Sequence, residues 1–496
     1  MEHSISKSQY LKGLQCPKAL WLYRHRKNLS PEIDPETQAR FDTGNEIGKW
    51  AMQYFGGGVE VSQPYWDIEG AISATKQFIQ DGQELIFEAT AMHPVNGCYS
   101  RIDILKRVEG SDEWDMIEVK SSTSVKDYHL DDVGFQYHVF YNAGYRIRKC
   151  FLMLIDNSYI RDGQIDPQRL LRLEDISGHV FAKQNEIEGI AGQLGYLLNE
   201  KTEPNISIGA RCFAPFECDY RSYCWNGVPD YSVYDVFQKS KAEEVAGKYG
   251  VALETLPDHV RPGGIKGKDV ESYLKGKTIV DSDNLKNFLE QLQYPLYFLD
   301  YETIMSAIPL FNGTRPYQQI PFQFSVHIQE SPEAELLHHE FLHKERTDPR
   351  PHFIKNLIGL CGQKGSVIVY NQAFEIARNN ELAKDFPQYA SKINSITERM
   401  VDLLVPFKNR WLYHPDQKSS ASIKAVLPCF TDHHYGDLEI GHGGEAMLQY
   451  GAFVNGSLEN DDLPSLWDNL SEYCRQDTYA MKLLLDRLET YLKPLR

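Results

Sequence analysis

The stretch Leu296–Thr303, LYFLDYET, constrains this chain more than any other. An apolar run leads into Asp300-x-Glu302, and on a strand residues two apart project from the same face, about 6.6 Å apart along it. Two carboxylates therefore enter one site. Like charges that close repel unless something positive sits between them, so the pair reads as half of a divalent-metal site or as two groups sharing a proton. An isolated D-x-E is more often a strand end with two solvated acids, and the rest of the C-terminal half decides between these readings.

At 366–382, SVIVYNQAFEIARNNEL, a short β-rich run stops at Asn371, an expected N-cap, and a helical pattern follows with Glu375 in its first turn. Nearer the end, LSEYCRQDTYAMKLLLDRL is apolar at helical spacing and sets Tyr473 and Asp477 four residues apart on one face. PFQFSVHI at 321–328 reads as the strand pairing back on LYFLDYET. Asp300/Glu302, then Asn371-x-x-Phe374-Glu375, then Tyr473-x-x-x-Asp477 resemble the three ordered motifs of DnaQ-like 3'-5' exonucleases, the DEDDy subclass of the RNase H-like fold. The resemblance spans residues 291–496, with Glu375 standing where those enzymes usually carry Asp. It implies an RNase H-like α/β exonuclease domain in which Asp300, Glu302, Glu375 and Asp477 bind two Mg²⁺ or Mn²⁺ ions. Tyr473 would orient the attacking water, since a phenol with a pKa near 10 is a poor base at neutral pH. Ser419 to Lys424 resembles a small-residue segment placed near the substrate. Asp402 reads as a supporting acid or, more simply, as an acid at a helix N-terminus.

In the N-terminal half, ELIFEAT at 84–90, CYSRIDILKRV at 98–108 and WDMIEVKSST at 114–123 read as strands. Asp103 on one of them and Glu118-x-Lys120 on the next bring two carboxylates and one ammonium together. Such a trio suits Mg²⁺ or Mn²⁺ chemistry on phosphate, although a surface cross-strand ion pair is the ordinary meaning of E-x-K. The constellation resembles the PD-(D/E)XK nucleases of the RecB and AddB type, with Asp103, Glu118 and Lys120 as motif residues. Gln136, on the helix expected over 131–145, matches the Gln of that family's Q-x-x-x-Y motif, with Phe140 at the Tyr position. Many relatives add a His from an early helix; TGNEIGKWA has none, so the expectation is either weaker metal binding or substitution by Glu46 or Glu88.

Nine cysteines are too few and too scattered for a disulfide framework. Cys212, Cys218 and Cys224 nevertheless fall close together in an aromatic segment, and Cys16 stands alone near the start. Buried free thiols fit so polar a segment poorly, and structural zinc is commonly built from short paired knuckles that this chain lacks. One Cys before the nuclease core and three after it resembles the layout of RecB-like nucleases that hold a [4Fe-4S] cluster, which implies Cys16, Cys212, Cys218 and Cys224 as its ligands. Cys98, Cys150, Cys361, Cys429 and Cys474 read as packing residues.

The 496 residues suffice for two or three domains with full cores. The expected organisation is α/β throughout. A restriction-endonuclease-like mixed-sheet domain with an iron–sulfur clasp covers 1–230, a connector 231–290, and the RNase H-like domain 291–496. No apolar run approaches a membrane span and the N-terminus lacks a signal-peptide core, so the expected location is cytoplasmic, with no membrane partner. A formal net charge of −17 argues against non-specific coating of nucleic acid; phosphate contacts must be local or supplied by metals. Residues 7–27, expected to be part of one helix over 1–30, carry six basic residues and no acid, interleaved with Tyr10, Trp21 and Tyr23. They fit a single-strand-binding groove or an amphipathic helix with a solvated basic face. The expected activity is metal-dependent hydrolysis of phosphodiester bonds in nucleic acid, DNA ahead of RNA. An RNA-processing exonuclease, or a nucleic-acid clamp with one or both sites inactive, are the alternatives.

Overall fold

The computed structural model describes residues 4–436 and 438–492. The chain divides into two units, Met1–Gly227 with Ala307–Pro316, and Val228–Ser306 with Tyr317–Arg496. Both are mixed α/β.

The first unit opens with helices α1 (Lys7–Gln15) and α2 (Pro17–His25). The single helix expected there is broken at Cys16 because a residue before proline avoids the helical region, and Cys16 is extended at φ −156°, ψ 112°. Ser6 and Gln9 close a capping box at the start of α1. The basic stretch is not an open groove. Tyr10 is buried against Phe135, Trp21 is buried and donates to the Glu200 carbonyl, and Lys12 and Lys18 pair with Asp219 and Glu203.

Helix α3 (Pro35–Phe55) ends at Gly56, whose φ of 68° suits a residue without Cβ. A six-stranded sheet follows in chain order: β1 (Val59–Glu60), β2 (Leu85–Met92), β3 (Tyr99–Arg107), β4 (Trp114–Lys120), β5 (Ile147–Ile155) and β6 (Leu171–Asp175). Helix α4 (Ile68–Gln80) joins β1 to β2, and helix α5 (Asp127–Asn142) makes the crossover between parallel β4 and β5. Val133, Phe135, Val139 and Phe140 of α5 join Ile86, Ile102, Met116, Leu152 and Leu154 of the strands in one core. That packing fixes the register of β3 and β4, and with it the acids they carry.

In the second unit the stretch expected as a connector is folded. Helices α6 (Lys239–Tyr249) and α7 (Gly264–Lys275) contribute Val245 and Val270 to a core with Val233 and Leu253. Strands β7 (Leu296–Ile304), β8 (Ile320–Gln329), β9 (Leu336–Leu342), β10 (Ser366–Val369) and β11 (Met400–Asp402) form a sheet in the order β9-β8-β7-β10-β11. β8 runs antiparallel to β7 on one side and β10 parallel to it on the other, so β7 is central. Helices α8 (Ala373–Asp385), α9 (Ile423–Phe430) and α10 (Leu463–Leu492) complete the elements that bear on the site. Among the described residues no helix is long and apolar enough to cross a membrane.

Candidate metal centres

On β7 the period of two sends Asp300 and Glu302 to one face, opposite Ser325 and Gln323 of β8. Tyr301 takes the other face and donates to Asn379 at 3.1 Å. The strand β10 leads to Asn371, which adopts φ 75°, a left-handed turn that Asn tolerates better than other side chains. Asn371 is therefore not the N-cap of α8, as expected from sequence; Gln372 takes that place and the Asn371 N–H donates to Asp402 Oδ1 at 2.9 Å. Asp402 also accepts from the Leu404 N–H at 3.0 Å, which makes it an end-capping acid and spends one of its oxygens on backbone.

The turn delivers Glu375 into the interior. It is buried, its Oε2 has no hydrogen-bond partner, and burial pushes its carboxyl up to about 8. From α10 come Tyr473 and Asp477, one turn apart. Asp477 Oδ1 accepts from the Tyr435 hydroxyl at 2.6 Å, and Tyr473 also hydrogen-bonds to Asp477. Burial, then the charges of Asp477, Glu302 and Glu375, raise the Asp300 carboxyl well above its ordinary range. Four acids from β7, α8 and α10 thus share one field. Burial and the same acids hold the Tyr473 and Tyr435 hydroxyls protonated, so they donate and do not act as bases.

Two residues complete this centre. Lys424 places its ammonium 5.4 Å from the centroids of both the Tyr435 and Tyr473 rings, and its charge offsets those of Glu302 and Asp477. Of the segment Ser419 to Lys424, only Lys424 bears on the acids; Ser419 donates to Asp269 Oδ2 at 2.8 Å instead. Cys474 is not a plain packing residue: its Sγ lies 3.8 Å from Asp300 Oδ2, and ligand atoms of Asp300, Glu302 and Cys474 lie within 4.8 Å of one another. Glu302, Glu375 and Asp477 are buried where water does not stabilise their ionised forms, and the orphaned Glu375 oxygen lacks a donor. Both features fit a bound divalent cation.

In the first unit, Asp103 of β3 and Glu118 of β4 come together as the spacing requires, with Asp103 Oδ2 accepting from the Val119 N–H at 2.6 Å. Lys120 donates to Glu118 Oε1 and to Asp132 Oδ2, both at 2.6 Å. Gln136 donates to Glu118 Oε2 and Asp132 Oδ1, both at 2.8 Å, and its own Oε1 is buried without a partner. Asp132 joins the site without a motif to mark it, and its place four residues before Gln136 on a helix is the sequence signal that finds it. In the sequence Lys7 is one residue of a basic run. It reaches in from the first turn of α1 to Glu118 Oε1 at 2.8 Å and Asp132 Oδ1 at 3.4 Å.

Burial opposes the charge on Glu118, but Lys120 and Lys7 outweigh it and hold the carboxyl well below its ordinary range. Asp103 moves the other way, raised by burial and by Glu118. The two carboxyls are therefore displaced in opposite directions within one coupled site. Glu88, at a strained φ of 58°, stands opposite Asp103, between the pairs Phe87↔Ile104 and Ala89↔Ile102; burial raises its carboxyl. Of the two expected substitutes for a missing His, Glu88 lies across the sheet from Asp103 and Glu46 is exposed on α3. His129 of α5 is buried nearby, and burial followed by Lys120 lowers it to about 4, so it stays neutral.

The four cysteines Cys16, Cys212, Cys218 and Cys224 line one cavity. The kink that Pro17 imposes at Cys16 puts that thiol at the junction of α1 and α2, and a turn closed by Cys218 N–H to the Cys212 carbonyl at 2.9 Å folds the other arm back. All nine cysteines are free thiols. Sulfurs on a tetrahedral zinc with bonds of about 2.3 Å sit about 3.8 Å apart. Among the described residues no three of the four sulfurs gather within 4.8 Å of one another, so the quartet is opened wider than zinc requires.

Comparison with known proteins places a domain of unknown function, DUF2779, on residues 297–422. That span carries Asp300, Glu302 and Glu375 and stops before Tyr473 and Asp477. The chain is 27% identical over 274 residues to the uncharacterized protein MG366 homolog of Mycoplasma pneumoniae, covering 50% of this chain and 41% of that protein. It is 26% identical over 234 residues to uncharacterized protein MG366 of Mycoplasma genitalium, 43% of this chain and 34% of the relative. Uncharacterized protein UU173 of Ureaplasma parvum is 24% identical over 280 residues, 51% of this chain and 40% of the relative. The chain spans about a third to two-fifths of the length of these relatives.

Proposed function

We propose that this chain is a metal-dependent nuclease that hydrolyses phosphodiester bonds of DNA in the cytoplasm, with an exonuclease centre in the second unit and a further nuclease centre in the first. The observation that carries the reading is the convergence of Asp300, Glu302, Glu375 and Asp477, from three elements far apart in sequence, into one buried acidic field. Buried carboxylates are expensive without a cation between them, and the clustering of displaced acids is the mark of a site of chemistry. A central strand carrying the acids, with an antiparallel neighbour on one side and a parallel one on the other, supports an RNase H-like sheet. The mixed sheet with α5 as crossover supports a restriction-endonuclease-like first unit.

Asp300, Glu302, Glu375 and Asp477 would hold Mg²⁺ or Mn²⁺, which would supply Lewis-acid stabilisation of charge on the phosphate. Tyr473, kept as a phenol, orients water by donating and accepting hydrogen bonds. Lys424 offsets negative charge beside Glu302 and Asp477. In the first unit Asp103 and Glu118 would hold the cation, Gln136 fixes the rotamer of Glu118, and Lys120 offsets phosphoryl charge. The wide cysteine quartet supports a [4Fe-4S] cluster on Cys16, Cys212, Cys218 and Cys224, clasping the first helices to the end of the unit.

One observation favours a second reading for the first unit alone. Both lone pairs of Glu118 Oε1 are taken by lysines, which suits a nucleic-acid clamp whose centre is closed. End-labelled DNA and RNA, digested with Mn²⁺ by protein purified without oxygen, separates these cases. The Asp300→Ala variant should lose degradation from 3'-ends, and Lys120→Ala should lose the remaining cleavage. Degradation of 3'-ends untouched by Asp300→Ala refutes the exonuclease assignment; a Lys120→Ala protein that loses nothing leaves the first unit a clamp.

A further inference from the structure

Tyr65 and Trp66 are 81% and 71% exposed, and they stand side by side, ring centroids 4.9 Å apart at 83°. Large rings left in water together, on a polar chain, call for an occupant. They are also held stiffly. The pair forms the tip of a turn closed by the Asp67 N–H on the Pro64 carbonyl at 3.0 Å, and Asp67 is itself locked as the N-cap of α4 through the Gly70 N–H at 3.0 Å. On the other side Arg101 donates to the Gln63 carbonyl at 3.1 Å.

Arg101 places this turn. It lies two residues before Asp103 on β3, so both share a face of the sheet, and it also donates to Thr90 at 3.2 Å and approaches Glu88 at 4.0 Å. The aromatic tip therefore stands at the edge of the Asp103, Glu118 and Glu88 cluster, one side chain removed from it. We infer that Tyr65 and Trp66 are a stacking platform for the bases of an unpaired nucleic-acid strand whose backbone enters the first unit's acidic centre. The inference rests on the proposal that this centre faces phosphate.

Charge selects this occupant over a duplex. A chain of net charge −17, with Lys7, Lys12 and Lys18 of its basic run spent on internal ion pairs, has little long-range attraction for a phosphate backbone. Affinity must then come from contacts that do not depend on a positive field, and base stacking on aromatic rings is the sequence-tolerant contact of that kind. Stacking needs a free base face. Paired bases inside a duplex are already covered by their neighbours.

The test is a fluorescence titration of the whole chain with a thymidine oligonucleotide of about twelve residues, and with a blunt duplex of that length, under chelator so that no cleavage occurs. The expected result is quenching of tryptophan emission by the single strand. Trp66→Phe should lose most of the quench while keeping affinity within a few-fold, and the double variant Tyr65→Ala/Trp66→Ala should weaken binding by about tenfold per ring removed. Both residues are exposed, so melting temperatures should match the parent. A single strand that binds the double variant as tightly as the parent overturns the platform, as does a duplex bound equally well or no binding of the single strand by the parent. Strand binding by the parent together with no cleavage of the same oligonucleotide when Mn²⁺ is supplied in a separate digestion would refute the nuclease proposal and leave the platform standing.

Discussion

Lys7 Nζ lies 2.8 Å from Glu118 Oε1, the oxygen that also accepts from Lys120 at 2.6 Å. Two ammonium groups on one carboxylate oxygen leave a divalent cation nowhere to coordinate it unless one withdraws. Lys120 shares a strand with Glu118, whereas Lys7 arrives on a separate helix and is the freer to leave. Lys7→Met should therefore tighten Mn²⁺ at this centre by about tenfold or more, the equivalent of one charge-assisted hydrogen bond of about 1.5–3 kcal/mol. Titration followed by Mn²⁺ electron paramagnetic resonance in an Asp300→Ala background isolates the site. Affinity that is unchanged or weaker shows that Lys7 supports the cation and does not compete with it.

The second centre responds to pH with a defined sign. Glu375 is raised by burial from about 4.5 to about 8, so between those values the folded chain holds a proton that the unfolded chain has released. Its contribution to stability is present at low pH and is lost as pH rises through the folded value. Metal-free protein should melt at progressively lower temperature from about pH 5 to about pH 8, Glu375→Gln should flatten that part of the profile, and Mn²⁺ should restore the melting temperature at the upper end. Glu118 runs opposite: its lowered carboxyl stabilises above the unfolded value and loses that contribution as pH falls below about 4. A melting temperature independent of pH in chelator, for parent and variant alike, would refute the buried-acid account.

The strands and helices that carry the acids were legible because period and composition are local signals. Asp300 and Glu302 on a β-rich run, Glu375 after a strand end, and Tyr473 and Asp477 at helical spacing all emerge on the expected elements. Contacts that depend on long-range placement were not legible. Lys7 reads as one basic residue among six, and nothing in the run KSQYLKGLQ says that its first lysine is half-buried against Glu118 of β4, 111 residues away in sequence. Tyr435 sits in an irregular stretch with no period to read, and Cys474 reads as packing because spacing pairs it with no other cysteine. Asn371 shows the converse failure: its residue type suits an N-cap and a left-handed turn equally, and the hydrogen bond to Asp402, set by the neighbouring strand, decides.

Cys16 links two parts of the first unit. It closes α1 at one end, and Lys7 begins that helix at the other. If the quartet holds an iron–sulfur cluster, protein purified without oxygen should be brown and carry about four irons per chain, and Cys16→Ser should lose both. The same variant should lower the melting temperature by several degrees, because a cluster that binds only the folded state stabilises it by mass action. It should also free α1, so that Mn²⁺ affinity at Glu118 moves in the direction expected for Lys7→Met. Colourless protein containing zinc would exclude the cluster, and unchanged Mn²⁺ affinity would sever the link through α1.

Arg410 and Asp269 test what holds the stretch 231–290 in the second unit. Arg410 Nε and Nη2 meet Asp269 Oδ1 and Oδ2 at 2.7 and 2.8 Å, Ser419 adds a hydrogen bond to Oδ2, and both charged partners are buried. Asp269 lies on α7, within that stretch, and Arg410 lies beyond β11. Removing one member of such a pair leaves the other charge uncompensated in the interior, at a cost of about 3–5 kcal/mol, whereas replacing both with apolar groups is often close to neutral. Arg410→Met should thus lower unfolding free energy by that amount in urea titration, and Asp269→Leu combined with Arg410→Met should recover most of the loss. A double variant no more stable than Arg410→Met would show that the guanidinium matters for its hydrogen bonds to the Phe407, Lys408 and Ser419 carbonyls rather than for its charge.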